Sequence, residues 1–138
     1  MYLASVMRRW MRALLVFGLV GTIAELLLLQ HYEDILQFVP LVLIGVALVV
    51  LVWHGFRPCA ANLRVLRITM VLFLAAGFLG VVLHYRGAAQ FQKEIDPSQP
   101  TWDIFKKAVK AKDPPVLAPG LMLQLGFIGL LYGHLQTE

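Results

Sequence analysis

Four apolar runs, each close to bilayer thickness, fill most of this 138-residue chain: Ala13–Leu29, Phe38–Trp53, Ile68–Leu83 and Leu117–Gly133. A hydrocarbon core of about 30 Å takes roughly 20 apolar residues wound as helix. With their flanks, the runs give four spans, at about 12–30, 36–54, 64–85 and 117–134. Charged residues make up only 14% of the chain, where a soluble domain carries about 25%. The expectation is therefore one all-α domain: an integral membrane four-helix bundle with no water-soluble core.

The ends of the runs carry the remaining local signals. Arg8, Arg9 and Arg12 before an apolar stretch imitate a signal peptide, but the stretch is long, contains Glu25 and ends without a small-x-small cleavage site. It reads as a retained first helix. Asp34 can cap the second helix, and Pro40 either kinks that helix or marks its first turn. Pro58 suits the first turn of the third helix, which reads through Leu63 and Leu66 to about His84, with Gly87 as its stop. In the third loop, Thr101 can cap a short helix over 101–112. Its Trp102, Phe105 and Val109 follow i, i+3, i+7 spacing while Lys106, Lys107 and Lys110 take other faces. That pattern predicts an amphipathic helix lying in the headgroup region. Asp113-Pro114-Pro115 ends it, and Pro119-Gly120 opens the last span.

Lys and Arg mark the cytoplasmic side of a membrane protein. Arg8, Arg9 and Arg12 precede the first span, and Arg57, Arg64 and Arg67 join the second to the third. The loop His31-Tyr32-Glu33-Asp34 has acids and no Lys or Arg. Both termini are expected in the cytoplasm of a bacterium, the chain being placed in the inner membrane. The outer loop holds as many cations, Arg86, Lys93, Lys106, Lys107, Lys110 and Lys112, but nearly balances them with Glu94, Asp96, Asp103 and Asp113. Aromatic belts fit the same arrangement, with Trp10, Trp53 and Tyr132 at one boundary and Tyr32, Tyr85 and Trp102 at the other.

Lipid supplies no hydrophobic drive between helices, so small residues that allow close backbone approach carry the packing. The first span offers Gly18 and Gly21, the third Ala76 and Gly80, the fourth Gly126, Gly129 and Gly133. Glu25 follows Gly21 by four residues and so shares its stripe.

An acid inside a span is costly and by default functional. Glu25 lies six residues before His31, about 9 Å below the outer surface, and Gln124 lies seven after Leu117, about 10 Å deep. The two are expected level, with His84 just above and Arg86 beside it, as a polar cluster that lets the acid stay ionised. His31, Glu33 and His84, with Glu94 in reach, are nitrogen and oxygen ligands that three at a time hold zinc, iron or copper. Paired imidazoles of different helices suit haem, although all four histidines sit at helix ends and no C-x-x-C-H motif is present. The lone Cys59 excludes an internal disulfide. Ser5 and Ser98 stand in no nucleophile motif, Glu33 and Asp34 diverge, and there is no repeat, low-complexity tract or nucleotide-binding glycine loop, so neither catalysis nor nucleic-acid binding is expected.

At Gly21-Thr22-Ile23-Ala24-Glu25-Leu26, His31-Tyr32-Glu33-Asp34, Val39-Pro40-Leu41, Leu83-His84-Tyr85-Arg86-Gly87 and Leu117-Ala118-Pro119-Gly120 the chain resembles a group of small bacterial four-span proteins of unassigned function. Ala88 stands where that pattern leads to an Asn. The resemblance implies a fold and no activity. The leading expectation is a non-catalytic accessory subunit of an inner-membrane complex, without cofactor, whose partners are the lipid bilayer and other membrane subunits or further copies of itself. A haem- or metal-binding redox protein using the outer histidines is the second reading, and a small proton or ion carrier centred on Glu25 the third.

Overall fold

The computed structural model describes residues 2–30, 35–110 and 117–137. Five helices and no strand occur among them: α1 (Tyr2–Leu28), α2 (Ile35–Phe56), α3 (Ala60–Ile95), α4 (Thr101–Val109) and α5 (Leu117–Leu135). α1, α2, α3 and α5 are long and apolar enough to cross a membrane. Each packs on two others, α1 and α3 both lying against α2 and α5, so the four close into a bundle with α1 across from α3. Successive members of these four run in opposite directions. Both ends of the described chain therefore meet at one end of the bundle, where Arg8 Nη1 donates to the Leu135 carbonyl at 3.3 Å. α4 lies towards the opposite end.

The seam between α3 and α5 is the closest in the molecule, and glycine makes it so. A β-carbon on Gly77 would stand 2.9 Å from the Pro119 carbonyl oxygen and 3.0 Å from the Leu123 amide nitrogen, so backbone meets backbone there. Gly126 faces Leu74 and the Met70 carbonyl, Gly129 faces the Met70 side chain, and Gly80 abuts Pro119. Gly18 performs the same service for α1 against Leu125. Of the six glycines the sequence singles out, Gly18, Gly80, Gly126, Gly129 and Gly133 thus lie in packed seams. Gly21 does not: it is exposed, with open space where a β-carbon would sit. Gly77, absent from that set, makes the tightest backbone approach.

Between the seams the core is Leu15, Leu19 and Leu26 of α1, Ile44, Ala47 and Leu51 of α2, Leu66, Met70 and Phe73 of α3, and Met122 and Leu125 of α5. The opposite faces are also apolar. Phe17, Val49, Phe56, Phe78 and Phe127 are each more than 60% exposed, a surface that water disfavours and hydrocarbon suits.

Three helices depart from the sequence expectation, and in α4 Pro100 rather than Thr101 takes the N-cap position, Thr101 being the first helical residue. α1 begins at Tyr2 rather than near residue 12. α3 does not stop at Gly87 but runs 36 residues to Ile95, about 54 Å at 1.5 Å per residue. A single helical glycine costs only about 1 kcal/mol, and the helix-forming neighbours Arg86, Ala88, Ala89 and Gln90 outweigh it. Asp96 closes α3. Hydrogen bonds from the Ser98 hydroxyl (2.6 Å) and amide (3.0 Å) hold its carboxyl below the usual carboxylate range. α4 folds back on this extension of α3, burying Ile104 and Ala108. Tyr85 and Phe105 rings meet at 5.8 Å. Trp102, Phe105 and Val109, the predicted apolar stripe, remain exposed, Phe105 least because of its contact with Tyr85.

Pro40 lies inside α2, where it removes the intrahelical bond to the Leu36 carbonyl. Pro58 precedes α3 instead of opening it. Cys59 is the N-cap, and Asn62 three residues on accepts its amide at 3.3 Å.

Candidate functional site

The contacts between α1 and α5 fix how deep each polar side chain sits. Arg8 bonds to Leu135, Gly18 abuts Leu125, and the Arg12 guanidinium lies beside the Tyr132 hydroxyl. This antiparallel register sets Glu25 opposite Ala118, and Gln124 opposite Leu19. Glu25 and Gln124 are therefore about six residues apart along the axis, about 9 Å, rather than level. The α3–α5 register, with Gly80 on Pro119 and Gly129 on Met70, puts Gln124 opposite about Ala75, nine residues or about 13 Å from His84. Gln124 and Arg86 are exposed, while Glu25 and His84 are half-buried. Among the described residues no hydrogen bond or ion pair joins Glu25 to Gln124, His84 or Arg86. The four do not form one cluster, because α1 ends at Leu28, three residues past Glu25, whereas Gln124 lies seven residues into α5 and α3 runs on past His84 to Ile95.

What the register does bring together is a seam on the outside of the bundle. Gly18 and Leu125 touch, so Gly21, nearly one turn past Gly18, and Gln124, one residue before Leu125, flank the same groove between α1 and α5. Glu25 continues the Gly21 stripe one turn on. Thr22, between them, turns inward and donates to the Gly18 carbonyl at 2.8 Å. An open glycine, a half-exposed acid and an exposed amide thus share a face otherwise made of Leu14, Phe17 and Leu28.

His84 belongs to a different feature. A cavity of about 650 Å³ opens between α2 and α3 towards the α4 end. Pro40, Leu43, Leu79 and Met122 contribute to its apolar walls, and Gln37 and His84 supply polar groups. His31 and Glu33, the other expected metal ligands, lie outside the described residues. Among the described residues no group of three or more His, Cys, Asp or Glu side chains could hold a metal ion.

The polar centre that sequence reasoning missed is at the termini end. His54 is buried, and its Nδ1 lies 2.6 Å from Asn62 Oδ1. Asn62 Nδ2 donates to the Arg57 carbonyl at 2.7 Å, which fixes the amide and makes His54 Nδ1 the donor. The Tyr132 ring stands edge-on to the imidazole at 6.4 Å. The signal was present: an Asn three residues after an N-cap is a capping arrangement, and it lay beside a histidine at the end of the preceding helix.

No protein-family model, curated protein or solved structure matches the chain. What it does rests on these three places: the outer seam, the cavity at His84 and the termini end.

Proposed function

We propose that this is a small non-catalytic integral membrane protein of a bacterial inner membrane, an accessory subunit that docks on a larger membrane assembly through the seam between α1 and α5. The observation that carries the reading is the exposure of Gly21 and Gln124 on an otherwise apolar surface, with Glu25 beside them. In lipid an exposed amide and a half-exposed carboxylate are costly. A partner helix that approaches closely over Gly21 and supplies donors removes that cost, as small and polar residues do between membrane helices.

The outward apolar faces of α1, α2, α3 and α5 support insertion. The termini end carries Arg8, Arg9, Arg12, Arg57, Arg64 and Arg67, and supports a cytoplasmic placement of both termini. Cations at the other end are partly engaged, Lys106 with Asp103 at 2.8 Å and Lys107 with Gln99 at 2.9 Å. α4 then rests at the outer interface, with Trp102 and Val109 towards the headgroups. The wild-type chain should bring a partner through mild-detergent purification. Gly21→Leu and Glu25→Gln should each lose that partner with melting temperature unchanged, because neither side chain is packed in the core. A chain that purifies alone, or a partner retained by both variants, contradicts the reading.

The cavity favours a second reading, capture of an amphiphile. Its volume falls in the range of about 300–1,000 Å³ typical of ligand sites, with apolar walls and the polar Gln37 and His84. Native mass spectrometry should show a bound adduct that Ala75→Phe, which narrows the cavity wall, removes. No adduct on either chain counts against it.

A further inference from the structure

The termini end holds a second pocket, of about 260 Å³, which the docking seam does not touch. Arg8, Arg9 and Arg12 of α1 line it with His54 of α2, Tyr132 of α5 and Gln136 just past the end of α5. The arginine, tyrosine and glutamine side chains can donate hydrogen bonds, and the three arginines carry permanent positive charge. Among the described residues no Asp or Glu lines the wall. The supporting elements offer none either, since Glu25 is the only acid of α1 and α2 and α5 have no acid at all.

The walls are held from three helices. Arg8 is tied to the Leu135 carbonyl, and Arg12 reaches from α1 to Tyr132. The Arg12 Nη1 stands 3.7 Å from where a β-carbon on Gly55 would lie, so the guanidinium also rests against α2. His54 is held in the wall by its Nδ1 bond to Asn62. Three guanidinium groups gathered in one pocket repel one another, and an anion among them reverses the sign of that interaction. Guanidinium groups match phosphate oxygens in paired hydrogen bonds. Trp10 and Trp53 are exposed at this end, where aromatic side chains mark headgroup depth.

We propose that this pocket binds a phosphate group, supplied by the headgroup of an anionic phospholipid in the leaflet at the termini end. Basic pockets between membrane helices on the cytoplasmic side take such headgroups. The inference rests on the membrane placement proposed above and is independent of any partner at the outer seam.

The test is a titration of the full chain in neutral detergent with phosphatidylglycerol, phosphatidylcholine of the same chain length, and inorganic phosphate. Thermal shift and native mass spectrometry supply the readouts. Phosphatidylglycerol should stabilise the protein saturably, with a single lipid retained per chain, and phosphatidylcholine should do so more weakly. Arg9 is exposed and makes no packing contact in the core, so Arg9→Gln should keep the unliganded melting temperature while weakening phosphatidylglycerol about fivefold. Arg64→Gln removes the same charge from the same end but outside the pocket, and should leave binding unchanged. Equal affinity in Arg9→Gln, or an equal loss in Arg64→Gln, overturns the pocket in favour of diffuse surface attraction. Stabilisation by inorganic phosphate with none by phosphatidylglycerol overturns the lipid source. A chain that remains soluble without detergent sinks the membrane placement instead, whatever the titration gives.

Discussion

His54 and Asn62 show how one residue pair can anchor a helix turn. The Asn62 carboxamide receives the imidazole N–H and the Cys59 amide on its oxygen and donates to the Arg57 carbonyl, so a single side chain closes the α2–α3 connection. Removing it strands a buried imidazole donor and a backbone carbonyl, at about 1–3 kcal/mol for each group left unsatisfied. Asn62→Ala should lower the melting temperature in detergent, and His54→Leu combined with it should recover part of the loss, because the orphaned donor goes too. Additive losses would contradict this. In the sequence, His54 read as one of four interfacial histidines. Its partner lay eight residues on, across a turn, where helical periodicity gives no pairing signal. Glu25 was legible as the residue to watch, but whether its neighbours were Gln124 and His84 depended on a register that hydropathy does not encode.

At the scale of helices, the four long apolar segments were legible because bilayer thickness imposes a length. Their ends were not. α3 overran Gly87 because a helix needs more than one weak residue to stop when its neighbours favour it and α4 packs Ile104 and Ala108 on the extension. Which glycines matter was equally hidden, since every face of these helices is apolar and small residues occur on several. Gly77 and Gly21 make the contrast measurable. At Gly77 the new methyl would press on the Pro119 carbonyl and the Leu123 amide, neither of which can rotate away, so α3 and α5 must part. Gly77→Ala should cost about 1–3 kcal/mol, the usual range for overpacking, read as earlier unfolding in detergent. Gly21→Ala meets open space and should leave stability unchanged. The same loss for both would show that helix propensity or lipid contact, rather than the α3–α5 seam, governs the effect.

The whole molecule combines an apolar girdle, an arginine-rich end and one polar groove on its outer surface. The girdle and the arginines were readable as composition. The groove was not, because it arises from the way α1 and α5 slide against each other, turning Gly21 and Gln124 outward together. A bundle that only had to be stable in lipid would gain from apolar side chains at these places. Their presence sets the central claim, that α1 and α5 offer a surface to another membrane protein. The most direct measurement is photo-cross-linking in cells from a benzophenone side chain at position 124, compared with one at position 49 on the exposed face of α2. The account predicts a protein adduct of defined mass from position 124 and none from 49. Lipid-only labelling from both positions, or the same protein adducts from each, would contradict it.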